Sequence, residues 1–139
     1  MIHPLEAFAD GIMHHEGWVV GSHSWRNRNP GNLRPNHAGE PQDAEGFRVF
    51  PSLVDGYAAL LAELRCKFTG ANTHKITPRS TLSDLIAVYA PWKDANNPLK
   101  YTAFMAGWLS LALERQVFAS TPLHEIWPGC INSTPGTKA

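Results

Sequence analysis

The sequence has little excess charge, few cysteines and no long apolar run, and each shortage excludes something. Twelve basic and twelve acidic side chains cancel, giving a formal net charge of zero. That argues against a nucleic-acid binder that relies on a broad phosphate-neutralising surface. No apolar stretch approaches the ~20 residues a membrane-spanning helix needs, so no membrane insertion is expected. The first residues, MIHPLEAFAD, lack a basic start and an apolar centre, so they do not read as a secretory signal. Cys66 and Cys130 are the only cysteines, too few and too far apart for a metal framework. They either remain thiols or pair in an oxidising compartment. There is no internal repeat and no low-complexity tract. A chain of 139 residues, 43% hydrophobic and 17% charged, fits one folded domain with its own core.

What is present starts with residues 4–18, PLEAFADGIMHHEGW. Pro4 suits a first helical position. Leu5, Phe8, Ala9, Ile12 and Met13 fall at helical spacing and make one apolar stripe. At about 100° per residue, Glu16 points within roughly 20° of Leu5, onto that stripe. Gly17 can end the helix. A carboxyl group is thus presented at a helix end, among apolar side chains and beside Trp18. A proton-donating carboxyl of a glycosidase works in such surroundings. The plain alternative is a helix-end glutamate that reaches into water.

Residues 19–46 are rich in Gly, Pro, Asn and charge, and a stretch of this kind inside a compact domain is usually functional. Asn29-Pro30-Gly31-Asn32 is turn chemistry, and Ser22 and Ser24 read as turn residues. GFRVF alternates and predicts a short strand, with Leu33 on a facing strand and residues 36–45 at the hairpin tip. Helices are predicted to follow from Ser52 to Gly70, from Thr81 to Pro91, and from Pro98 through Ala112, with a short one from Thr121 through Trp127. Ser52 with Asp55, and Thr81 with Asp84, carry the capping signals. The fold class expected is α+β, mainly α, with a small β-hairpin lobe on one helical domain.

Other chemistries find less support. His15-Glu16 begins like H-E-x-x-H, but Val19 occupies the second histidine's place, so no metal site is expected. No G-x-S-x-G elbow frames a nucleophile. Arg26, Arg28 and Arg34 either form a basic face for glycan or acidic peptides, or are solvated charge paired with Asp43 or Glu45. Trp108 fits a core stripe, whereas Trp25 and Trp92 sit in loops where they could stack on sugar.

The order of these pieces resembles a family. A helix ending in Glu16-Gly17-Trp18 is followed by RNRNPGNLR at residues 26–34, then FRVFPSL leading into a helix, then Tyr89-Ala90-Pro91 and Asn97-Pro98 up to Tyr101. Over residues 4–108 this is similar to the lysozyme-like superfamily of peptidoglycan-cleaving enzymes. The flagellar glucosaminidase type resembles it most, with goose-type lysozymes and lytic transglycosylases behind. It also resembles small phage-encoded proteins that carry an RNxNPGNLR motif.

The resemblance implies a lysozyme-like helical domain, with bacterial peptidoglycan as partner, no cofactor, and a monomer. It implies Glu16 as the catalytic acid, with Asn32, Leu33 and Arg34 entering the lobe beside the cleft. It places Tyr89, Trp92 and Tyr101 on the substrate side. The second carboxylate would come from Glu40, Asp43 or Glu45, and no motif decides between them. Lytic transglycosylases need no second carboxylate, and a silent wall-binding or virion module would share the fold. Delivery to the cell wall would then require a holin, a phage particle or a secretion machine.

Overall fold

The computed structural model describes residues 2–91 and 96–132. Six helices follow one another: α1 (Pro4–His15), α2 (His23–Arg26), α3 (Leu53–Thr69), α4 (Leu82–Tyr89), α5 (Pro98–Ala112) and α6 (Leu123–Ile126), with a 3₁₀ turn at Pro128–Cys130. The architecture is mainly helical, and among the described residues there is no sheet.

Local chemistry sets the helix ends. The Ser52 hydroxyl accepts the Asp55 amide at 3.1 Å and donates to its carboxylate at 2.8 Å. Thr81 and Asp84 complete a reciprocal capping box, at 3.1 and 2.9 Å. Pro98 occupies the first turn of α5, and Asn97 accepts the Lys100 amide at 3.2 Å. Gly70 closes α3 with φ of 90°, a left-handed cap. The Ser22 hydroxyl accepts the Trp25 amide at 3.3 Å and starts α2, where turn residues were expected.

The core is one contiguous cluster contributed by α1, α3, α4, α5, α6 and the 3₁₀ turn. Phe8 and Ile12 of α1 are fully buried, as are Leu60, Leu64 and Phe68 of α3, and Tyr101, Met105 and Leu109 of α5 or their near neighbours, to within 1% exposure. Each such aliphatic or phenyl side chain contributes about 1.5–3 kcal/mol of transfer free energy. Phe8 meets Phe68 edge-on with ring centroids 5.5 Å apart. Trp108 is structural, as its place in the stripe predicts: its Nε1 donates to the Ala7 carbonyl at 3.0 Å. Cys66 and Cys130 are both buried.

Residues 17–51 form a long polar excursion. The hairpin expected there is a loop with one antiparallel bridge, Gln42 to Arg48, reversing at Asp43 and Gly46. Ladder-like bonds remain from the Asp43 amide to the Phe47 carbonyl (2.8 Å) and from the Val49 amide to the Pro41 carbonyl (2.9 Å). Pro35 and Pro41 offer no N–H, and the Asp43 carboxylate takes the Glu45 and Phe47 amides, so no regular strand extends. The facing segment supplies one bond, from the Arg48 amide to the Leu33 carbonyl at 2.8 Å.

Buried Asn29 ties the excursion together. Its Nδ2 donates to the Leu33 and Arg48 carbonyls, each at 2.9 Å, and its Oδ1 accepts the Leu33 amide at 2.9 Å. The loop also needs close approach to α3. A Cβ on Gly56 would lie 1.9 Å from the Arg28 carbonyl oxygen, so only glycine fits there.

Candidate active site

Glu16 sits one residue beyond α1, still in helical conformation, with its amide bonded to the Ile12 carbonyl at 2.8 Å. Its side chain is partly exposed and held at both oxygens. Oε1 accepts from Asn32 Nδ2 at 2.8 Å, and Oε2 accepts from the Tyr101 hydroxyl at 2.8 Å. Those partners come from positions 16 and 85 residues away in sequence. The apolar stripe therefore delivers the carboxyl to a polar clamp, a setting the stripe alone does not predict.

Each clamp residue is itself fixed. Asn32 adopts φ of 48°, a left-handed conformation that asparagine tolerates better than most residues. Its amide N–H donates to the Asn29 carbonyl at 3.0 Å. Tyr89 donates its hydroxyl to the Gly31 carbonyl at 2.5 Å, which positions the peptide just before Asn32. A Cβ at Gly31 would come within 2.6 Å of that hydroxyl oxygen and 2.7 Å of Leu60 Cδ1.

Burial, followed by the neighbouring Tyr89 and Glu16, raises the Tyr101 phenol far above its ordinary range. Burial, followed by Glu16 and Glu63, does the same to Tyr89. Both phenols stay neutral and keep their protons. His15 lies over Tyr101, ring centroids 3.8 Å apart. Burial lowers its pKa against the opposing pull of Glu16, with His14 adding to the lowering.

The arrangement accommodates either state of the Glu16 carboxyl. A tyrosine hydroxyl donates to a carboxylate and can accept from a carboxylic acid. Asn32 Oδ1 is buried without a hydrogen-bond partner. Turning that amide over would present an acceptor to a protonated Glu16 in place of the donor.

Glu16 opens into a cavity of about 380 Å³. The polar loop lines one part of it, with Gly31, Asn32, Leu33, Arg34 and Arg48. Tyr89 and Val88 of α4 and Glu63 and Lys67 of α3 line the rest, together with His74 and other residues. Sequence and structure agree here on Glu16, Asn32, Leu33, Arg34 and Tyr89 as one neighbourhood. Tyr101 is 1% exposed and bonds to Glu16, so it positions the carboxyl and does not face a substrate. Trp92 lies outside the described residues. Trp25 is exposed on α2, and it and Arg26 and Arg28 are not part of the cavity wall.

None of Glu40, Asp43 and Glu45 lines the cavity. Glu40 accepts the Asn36 and His37 amides at 2.7 and 3.0 Å and pairs with Arg48 at 2.8 Å. The His37 amide contributes most to holding its carboxyl below the usual range. Asp43 is bonded by Asn27 Nδ2 (2.8 Å), by the Glu45 and Phe47 amides (2.9 Å each) and by His23 Nε2. Burial pushes its pKa up, but these bonds outweigh it, Asn27 most and then Phe47 and His23, and hold the carboxyl well below its usual range. Its partner is thus a histidine, not an arginine. Glu45 is exposed, and its carbonyl accepts from Arg34 Nη1 at 3.3 Å. The Arg34 guanidinium lies 4.3 Å from the Phe47 ring centroid.

Glu63, Lys67 and His74 are the cavity residues that the sequence reading passes over. Lys67 is 5% exposed and pairs with Glu63 one turn back on α3. A signal existed: at about 100° per residue, Lys67 falls within roughly 20° of Leu60, on the buried face. That is the same out-of-place charge that marks Glu16. Among the described residues, no group of three or more His, Cys, Asp or Glu side chains is placed to hold a metal ion. Among them, no helix is long and apolar enough to cross a membrane.

Comparison with known proteins finds no matching family model, no matching curated protein and no matching solved structure.

Proposed function

We propose that this protein cleaves the glycan strand of bacterial peptidoglycan, acting as a monomeric lysozyme-like domain with Glu16 as general acid. One observation carries the reading: a clamped carboxyl at a helix end opens into a cavity lined by mixed polar and apolar groups. The order of sequence motifs that resembles peptidoglycan-cleaving enzymes supports it independently. In this reading the residues 17–51 excursion takes the place of the small β lobe, with far less strand than the resemblance implies.

The chemistry follows from the clamp. Asn32 and Tyr101 fix the two oxygens of Glu16, so its proton is delivered in one direction. Glu16 protonates the glycosidic oxygen as the bond to the anomeric carbon breaks, and an oxocarbenium-like state develops. Arg34, Asn32 and the Tyr89 ring edge would orient the sugar.

A second reading is a lytic transglycosylase, favoured because no acid of the polar loop reaches the cavity. There Glu16 would next take a proton from the sugar's own hydroxyl and leave an anhydro end. Digestion of purified peptidoglycan, with mass analysis of the fragments, tests all of this. Reducing ends indicate hydrolysis and anhydro ends transglycosylation. Binding without any released fragment would indicate a silent wall-binding module and overturn the enzymatic reading.

A further inference from the structure

We propose that Glu63 is the second catalytic carboxylate, a general base that activates water, and that Lys67 positions it. This rests on the glycan-cleaving reading above and fixes its mechanism as hydrolysis. It moves the second acid from the polar loop to helix α3.

Elimination gives the first argument. Among the described residues that line the cavity, the carboxylates are Glu16 and Glu63. Glu40 and Asp43 are committed to amides of their own loop and to Arg48, Asn27 and His23, and Glu45 lies outside the cavity wall.

The second argument is energetic. Lysine is almost never fully buried unless paired, because removing an ammonium from water costs several kcal/mol. An exposed pair at the same i,i+4 spacing would serve the helix for about 0.3–0.5 kcal/mol without that cost. Lys67 is nonetheless 5% exposed, lies on the cavity wall and pairs with Glu63 Oε1. The pair presents a carboxylate of fixed direction to the same space that Glu16 enters. Helix stability alone does not require that placement.

The third argument is proximity. Both Glu16 and Glu63 act on the buried Tyr89 hydroxyl, so the two carboxyl groups share one electrostatic neighbourhood. Tyr89 in turn holds the peptide that carries Asn32.

The step balances with water as the only co-reactant. The bond from the anomeric carbon to the bridging oxygen breaks, and that oxygen takes the Glu16 proton. Water forms a new bond to the anomeric carbon and loses one proton to Glu63. Glu63 then releases its proton and Glu16 regains one through solvent, so one water is consumed per bond cut. Lys67 touches no reacting atom; it holds Oε1, which leaves Oε2 as the oxygen that takes the proton.

The test compares wild type, Glu16→Gln, Glu63→Gln and Glu63→Ala on purified peptidoglycan. Each variant is first checked for a cooperative thermal melt. Expected are reducing ends from wild type and a loss of roughly 10²–10⁴-fold in Glu63→Gln. Azide should restore cleavage to Glu63→Ala and appear at the new ends as a glycosyl azide, because azide needs no base. If Glu63→Ala does not fold, Glu63→Ala with Lys67→Met removes both buried charges and takes its place in the azide test. Lys67→Met alone should shift the pH profile of kcat, which a purely structural lysine would not do. Glu63→Gln within a few-fold of wild type, with Glu16→Gln inactive, overturns this inference and leaves glycan cleavage standing. Anhydro ends from wild type do the same. No cleavage by wild type overturns both.

Discussion

Replacing Tyr101 with Phe isolates the clamp. The ring keeps its contacts with His15, centroid 3.8 Å away, and with Tyr89 at 6.3 Å. Only the hydroxyl that donates to Glu16 Oε2 at 2.8 Å is lost. A hydrogen bond to a charged group contributes about 1.5–3 kcal/mol. Glu16 is partly exposed, so water replaces part of that, and a net loss of about 1 kcal/mol is expected. For a domain of this size, the melting temperature should fall by roughly 3–5 °C. In activity, a carboxyl freed from one of its two anchors should lose about tenfold in kcat, which corresponds to about 1.4 kcal/mol. KM should change little, because the hydroxyl does not face the substrate.

The decisive assay is a double-mutant cycle with Glu16→Ala, read by thermal and urea unfolding. With Glu16 present, removing the hydroxyl should destabilise. Without it, the buried Tyr101 hydroxyl has lost its acceptor, so removing it should be neutral or stabilising. Equal destabilisation in both backgrounds would refute the clamp.

Three further outcomes are expected. Asp43→Asn should lower stability at neutral pH. Because the folded-state pKa of Asp43 is depressed, its contribution is complete above about pH 4–5 and fades as pH falls toward the folded value. Urea melts from pH 7 to 3 should therefore show wild type converging on a flatter Asp43→Asn curve, and parallel curves would contradict this. Gly31→Ala should destabilise by about 1–3 kcal/mol through overpacking against Tyr89 and Leu60, and should also depress activity by displacing Asn32. An unchanged melt would contradict the close approach. Trp25→Ala, on an exposed side chain away from the cavity, should leave both peptidoglycan turnover and the melting temperature nearly unchanged, and a large loss of turnover would enlarge the site toward α2.

Much of the helical frame is legible because its signals are local. Ser52 with Asp55, Thr81 with Asp84, and Pro98 each carry their capping information within one turn. Glu16 is legible because periodicity exposes an out-of-place charge. The strand pattern in GFRVF misleads, since alternation does not record that Pro41 lacks a donor or that Asp43 competes for the amides. The length of α2 is too short for periodicity to register, and only its cap at Ser22 marks it. Long-range partners are not local properties at all: nothing near Glu16 announces Asn32 or Tyr101, and nothing near Asp43 announces His23. Lys67 is the instructive omission, because the rule that singles out Glu16 applies equally to it.

The most direct measurement on the central claim is Glu16→Gln assayed for both cleavage and retention on insoluble peptidoglycan. Gln preserves the shape and one acceptor of the clamp, and it has no carboxyl proton to donate. The account predicts wild-type melting behaviour to within about 1 kcal/mol, undiminished retention on the polymer, and loss of fragment release by a factor of roughly 10² or more. A folded Glu16→Gln protein that releases fragments at near wild-type rate would contradict it.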